Sequence, residues 1–468
     1  RAPLVKGSGT ALLDAFVYHN YSIGNNPGNV RLGRQVVSWG ESTFIGNSIN
    51  SINPVDVAAF RRPGAEIKEG LLPVEMLYFS QGLTDNLSME AFYQLKWAPF
   101  AIDNCGTFFG SDTLAVGCND RLVVAGVDNP QGQQPSASTI VRARKDRDAS
   151  DDGQFGVAFR YFVPQLNDTE LGFFAMNYHS RSPIYSSIAG VPPGLGTPIT
   201  GIDGGAGPAG YFFEYPEDIR LYGMSFQTNL GGTAVSGEVS YRPNMPMQIS
   251  TGDQSRTALV NAFLGQDNTH RGLSVGVGDE IPGYVRKEFY QAQVTAIHFI
   301  ERVLGASRLS LVGEAGVNYI GGLGDTTKFG RDSLFGQSPF VEGDGGGAVP
   351  GQCSSFQGTP VGGSPNAASW CENDGFYTEW SSGYRVRAQL DYSNVIAGIN
   401  LSPNLTWSHD VDGYGPNFTE NAKAISVGLN ADYGNKYNAS LSYTDFFDGK
   451  YNTNVDRDFL ALSVGVSF

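Results

Sequence analysis

The sequence predicts an all-β fold: a transmembrane antiparallel β-barrel of about 16–18 strands in the intact protein, with short periplasmic turns and long extracellular loops. Three observations carry this reading. The final stretch, residues 459–468 (FLALSVGVSF), places Leu460, Leu462, Val464, Val466 and Phe468 on one side of an extended chain, with Ala461, Ser463, Gly465 and Ser467 on the other. A two-faced strand that ends on an aromatic residue is what a barrel needs to close against its first strand. The same alternation recurs in about fifteen stretches, and the links between them are short and long by turns.

Composition agrees. Charged residues make up 16% of the 468, against a soluble average of about 25%. Aromatic content is high, with 22 Tyr and 29 Phe, and there are 61 Gly. No apolar run reaches the roughly 18 residues of a membrane helix, whereas alternation dilutes a barrel strand's hydrophobicity. A net charge of -15 with no basic stripe excludes nucleic acid as a partner. Four cysteines form two local pairs, Cys105 with Cys118 and Cys353 with Cys371, which suggests loop disulfides in an oxidising compartment. Neither pair has the spacing of a zinc or redox site, and no metal or cofactor is expected. No signal peptide precedes Arg1, so the chain reads as mature or trimmed.

In chain order, the predicted strands are 12–21, 30–39, 75–83, 87–97, 156–163, 171–178, 219–228, 235–242, 285–300, 309–319, 384–392, 396–409, 424–433, 437–443 and 459–468. Tight turns such as 84–86, 230–233 and 434–436 alternate with long segments such as 40–73, 98–153, 180–218, 243–282 and 321–377. Where the pattern is clean the faces can be assigned. Tyr384, Val386, Ala388, Leu390 and Tyr392 point to lipid, and Arg385, Arg387, Gln389 and Asp391 line the lumen. A barrel with both ends periplasmic needs an even strand number, so fifteen predicts at least one further strand ahead of residue 1. The whole chain is otherwise one domain.

The segment 34–73 is unlike an ordinary surface loop. Val55, Val57, Phe60, Ile67, Leu71 and Leu72 are mixed with Asp56, Arg61, Arg62, Glu66, Lys68 and Glu69. Two placements fit: residues 41–73 fold into the barrel as a constriction or plug, or they form an external cap. Inside, the charges must pair, because an unpaired buried charge is costly. The constriction would then work with Arg385, Arg387 and Asp391 on the wall to set the local field.

LGRQVVSWGESTF at 32–44, INPVDVAAFRRPGAEIKEGLLPVE at 52–75, SQGLTDNLSMEAFYQLKW at 80–97 and IDNCGTFF at 102–109 resemble domain-of-unknown-function family 1302, a family of proteobacterial outer-membrane barrel proteins. The resemblance covers most of the chain and implies further residues ahead of the segment at residue 12. It also implies two partners, a periplasmic companion protein and an inner-membrane transporter of the resistance-nodulation-division type, and traffic of hydrophobic compounds or lipids across the envelope. No catalytic residue carries over from it.

An enzyme is not expected. Gly272-Leu273-Ser274-Val275-Gly276 matches GxSxG, but it sits in a loop rather than at a strand-to-helix elbow. His179, His298 and His409 have no acid at fixed spacing. Three functions follow: passage of hydrophobic or amphiphilic compounds, a porin-like channel for small polar solutes, or a surface protein without transport. Outer-membrane lipids and lipopolysaccharide are the expected surroundings, and Arg142, Arg144, Lys145 and Arg147 suit lipopolysaccharide phosphates.

Overall fold

The computed structural model describes residues 12–58, 70–104, 106–111, 113–114, 121–123, 139–190, 209–261, 267, 269, 271–340, 369 and 371–467. In chain order its strands are β1 (Ala15–Ile23), β2 (Asn26–Gln35), β3 (Val74–Gly82), β4 (Leu87–Gln94), β5 (Arg121–Val123), β6 (Thr139–Arg142), β7 (Phe155–Val163), β8 (Thr169–Tyr178), β9 (Ile184–Ile188) and β10 (Gly210–Glu214). There follow β11 (Ile219–Leu230), β12 (Thr233–Gln248), β13 (Glu280–Ile281), β14 (Tyr284–Glu301), β15 (Arg308–Gly321), β16 (Trp380–Ile396), β17 (Ile399–Asp412), β18 (Lys423–Tyr433), β19 (Tyr437–Phe447) and β20 (Phe459–Val466). One short helix, α1 (Thr251–Arg256), sits in the link after β12.

Fifteen of these strands form a single antiparallel sheet in the order β1-β2-β3-β4-β7-β8-β11-β12-β14-β15-β16-β17-β18-β19-β20. Each of the predicted stretches overlaps one of them. The sheet is an up-and-down meander whose links alternate short and long. Gly231 and Gly232 (φ 58° and 84°) form the turn between β11 and β12, a left-handed pair that suits a two-residue hairpin. Boundaries move in two places. β2 ends at Gln35, so that Val37 and Trp39 leave the ladder and are buried, and β16 runs on to Ile396 past the expected turn at 393–395.

The two faces differ as membrane-wall faces must. Val17, Leu32, Leu77, Tyr93 and Phe155 pair in one row across β1, β2, β3, β4 and β7, each between 40% and 70% exposed. A water-facing row of that kind would cost roughly 1.5–3 kcal/mol per side chain relative to burial, a cost that lipid contact removes. Along a second row, Tyr222, Tyr241, Tyr290, Tyr319 and Trp380 are register partners, with neighbouring ring centroids 4.4–6.5 Å apart. Such a row is an interfacial aromatic girdle. The opposite face is polar. An antiparallel meander with an apolar, aromatic-girdled outer face is a transmembrane β-barrel of the outer membrane.

Leu460, Leu462, Val464 and Val466 are exposed on the lipid face of β20, at 69%, 72%, 74% and 51%; Phe468 lies outside the described residues. β20 pairs with β19, and no ladder joins β20 to β1 among the described residues. The closure expected between the last strand and the first is therefore not formed there.

The long links are more structured than polar loops. β13-β9-β10-β6-β5 make a second sheet, separate from the fifteen-stranded one, with its own core of Ile140, Tyr185, Tyr211, Phe213, Leu259 and Ile281. Arg147 pairs with Glu214 on β10 at 3.0 Å and with Glu280 on β13 at 2.8 Å, and Arg144 also reaches Glu280. Burial raises the Glu280 carboxyl, but hydrogen bonds from Arg147 and Arg144 outweigh it and hold the group below its usual 4.5.

Candidate functional site

Between β2 and β3 the chain does not loop outward. Residues 37–53 cross the polar face of the sheet without regular secondary structure, so their backbone groups need partners from the wall. Carboxylates take the N–H groups. Glu314 of β15 accepts from the amides of Thr43, Phe44 and Ile45 at 3.0, 2.6 and 2.7 Å, and from the Thr295 hydroxyl at 3.1 Å. Glu238 of β12 accepts from the amides of Glu41 and Ile49 and from the Gln293 side chain.

Cations and amides take the carbonyls. Arg242 of β12, fully buried, donates to the carbonyls of Asn47 and Ser48 at 3.0 and 2.7 Å. Arg181, just past β8, donates to the carbonyls of Ile52 at 2.6 Å and Ala98 at 2.8 Å. Gln291 and Asn417 both donate to the Gly46 carbonyl, and Gln94 donates to that of Ile52. Apolar anchors complete the fit. Trp39 is fully buried against Phe92 and Phe174, its ring N–H donating to Glu90 at 2.7 Å. Ile49 lies over Gly223, where an added Cβ would come within 2.7 Å of it.

These partners extend from β4 to the link between β17 and β18. Among the described residues none of the insert's hydrogen bonds reaches β18, β19 or β20, whose inner faces carry Ser426, Ser440 and Thr444.

The predicted site residues separate into groups. Asp56 accepts from the Ala58 amide at 3.0 Å and its own amide donates to Gly70, so it shapes a turn of the insert's return path. Arg61, Arg62, Glu66, Lys68 and Glu69 lie outside the described residues. On β16, Arg385 bonds Asp410 at 2.6 Å and Arg387 bonds Gln389 at 3.0 Å. Asp391, farther along, accepts from Gln389, Ser402 and Arg308. Arg385 is the register partner of Glu314, which places this charged row beside the insert. Cys105, Cys118 and Cys353 lie outside the described residues, and Cys371 is disulfide-bonded.

Glu238, Glu314, Arg181 and Arg242 were not singled out from the sequence. Alternation along β12 and β15 does put both glutamates on the inner face, but it says nothing of what they hold.

Above the insert lies a cavity of about 940 Å³. Its walls are largely apolar, with Val55, Val57, Leu71, Phe100, Met245 and Met247 among them, and the insert contributes a polar patch of Thr43, Asn47, Asn50 and Ser51. Arg181 is the one charged residue on its lining among the described residues, and its guanidinium bonds Ile52, Ala98, Gln94 and Gln154. Arg181 is 3% exposed, and burial pushes its guanidinium down to about 9, so that it remains a cation at neutral pH.

Among solved structures, the chain resembles OccAB1 of Acinetobacter baumannii, at 11% identity and TM-score 0.35, covering 93% of this chain and 72% of that one. It also resembles OccD3 (OpdP) of Pseudomonas aeruginosa, at 12% and 0.34, covering 93% and 73%. A third likeness is to the outer membrane channel DcaP of A. baumannii, at 10% and 0.31, covering 95% and 80%. No curated protein sequence matches. A family model described as Protein of unknown function (DUF1302) matches residues 2–468, and the chain therefore belongs to that family.

Proposed function

We propose that this barrel is an outer-membrane channel for hydrophobic or amphiphilic compounds, lipids among them, and that residues 37–58 narrow its bore. The observation that carries the reading is the cavity of about 940 Å³ above the insert. Its volume suits a small amphiphile, and its apolar wall beside a polar patch suits a molecule with two unlike ends. Of the charged residues expected of the constriction, Asp56 lies on the insert, Arg385, Arg387 and Asp391 belong to β16, and Arg61, Arg62, Glu66, Lys68 and Glu69 lie outside the described residues. A periplasmic companion protein and an inner-membrane transporter of the resistance-nodulation-division type are the proposed partners that deliver or receive the cargo.

A porin-like channel for small polar solutes is the second reading, favoured by the hydroxyl side chains on the inner faces of β18 and β19, Ser426, Ser440 and Thr444. Proteoliposomes separate the two. The first predicts protein-dependent release of a fluorescent twelve-carbon amphiphile faster than that of small sugars; release of sugars without the amphiphile would overturn it.

A further inference from the structure

We propose that the docked insert does not seal the barrel: a hydrated lane runs beside it along the inner face of β16–β19 and carries water and small inorganic ions. The lane is separate from the cavity and goes beyond both readings above, because it operates with the insert in place and whatever solute the cavity takes. Register defines it. Arg387, Thr406, Ser426 and Thr444 are successive partners across β16, β17, β18 and β19, on the face that the Glu314–Arg385 pairing identifies as inner. In the next row toward the short turns, Gln389, Asn404, Gly428 and Ser442 are partners in the same way. Neither row holds an apolar side chain, whereas the alternate positions Leu405, Val427 and Tyr443 are exposed on the lipid face. Burial separates this wall from the one beneath the insert. On β12, β14 and β15 the inner-facing Glu238, Gln293, Thr295 and Glu314 are buried, but apart from Gly428 the two rows on β16–β19 are partly exposed. Their hydrogen bonds stay within the wall: Arg387 donates to Gln389 at 3.0 Å, Gln389 to Asp391 at 2.9 Å and Thr444 to Ser426 at 2.9 Å. Asn404, Thr406 and Ser442 bond no protein group among the described residues. A polar group enclosed without a partner costs about 1–3 kcal/mol, so a dry lumen would be penalised at each of these positions. Water satisfies them all. With no apolar ring across the two rows, nothing in them favours dewetting, and a continuous wet path is what an ion needs to cross a bilayer.

The test is modification of single cysteines by a membrane-impermeant, charged methanethiosulfonate while the whole protein conducts potassium chloride in planar bilayers, with the unaltered protein as blank. Thr406→Cys and Ser442→Cys, on two different strands, should each lose roughly half of the single-channel current in one step on modification. Ser426→Cys, on a third strand, replaces either of them if it does not fold. Two variants should keep their current. Ala158→Cys lies in the buried core with Trp39 and Ile49 of the insert, and Val427→Cys lies on the lipid face.

Unaltered protein that carries no current overturns the lane and leaves the amphiphile channel standing, since release of the amphiphile is read separately. Current that survives modification at Thr406→Cys and Ser442→Cys overturns the lane as well. Loss of current at Ala158→Cys alone does so too, by putting the path beneath the insert.

Discussion

Replacing Glu314 with Ala should release the insert from the wall. The carboxylate is 2% exposed and accepts three backbone amides, from Thr43, Phe44 and Ile45, none of which has a helix or strand partner. A hydrogen bond to a charged acceptor contributes about 1.5–3 kcal/mol, and a buried donor left unpaired costs a similar amount. The three are neighbours and do not add fully; the buried carboxylate's own desolvation also offsets part of the loss. A net destabilisation of the docked insert by about 3–5 kcal/mol is a reasonable magnitude, lowering the docked-to-released ratio by roughly 10²- to 10⁴-fold. Single-channel recording in planar bilayers should then show a larger conductance or frequent steps to a second, higher level. Limited proteolysis should cut within residues 37–53 while the barrel keeps its heat-modifiable migration. Glu314→Gln retains one acceptor oxygen and should fall between the two. Wild-type conductance together with wild-type protease resistance in the Ala variant would refute the idea that this carboxylate pins a constriction.

Three further outcomes are expected. Gly223→Val places atoms where Ile49 now sits, with the Cβ alone 2.7 Å from it, and should displace the insert at a cost of about 1–3 kcal/mol, seen as raised conductance without loss of the barrel. Because Glu280 is held below its usual value in the folded state, its contribution to the second sheet is present above about pH 4.5 and is lost as pH falls through the lower, folded-state value. Hydrogen exchange in β9, β10 and β13 should therefore accelerate on acidification below that range, and an Arg147→Ala variant should lose much of this dependence. Mass mapping without reductant should recover linked Cys105–Cys118 and Cys353–Cys371 peptides; alkylatable thiols at these positions would refute the pairing.

The wall was legible in the sequence because a barrel strand is a local object. Its period of two is imposed by the pleat, so that Leu460, Leu462, Val464 and Val466, or Val386 opposite Arg385 and Arg387, declare their faces without reference to any partner. Short turns announce themselves through glycine and asparagine, which fixes the order of strands in a meander. The second, five-stranded sheet escaped notice for the opposite reason. β9 (IYSSI) and β10 (GYFFE) are buried on both faces and show no alternation, β5 and β13 are only three and two residues long, and β6 pairs in parallel with β10 from a distant part of the chain.

The insert shows the division most clearly. Charge and apolar residues drew attention to 34–73, with 41–73 as the candidate constriction, yet the stretch that crosses the wall's polar face carries no charged side chain between Ser42 and Asn53. What holds it is its own backbone, and backbone amides look alike in every sequence. That they would be met by Glu314, some 270 positions away, and by Glu238 and Arg242, about 190 away, is a consequence of the sheet bringing β12 and β15 beside β3 and β4 around one interior. Alternation alone determined a membrane barrel with polar side chains inside; only the tertiary structure decided that some of them bind the chain itself and that one cation, Arg181, is buried among neutral acceptors.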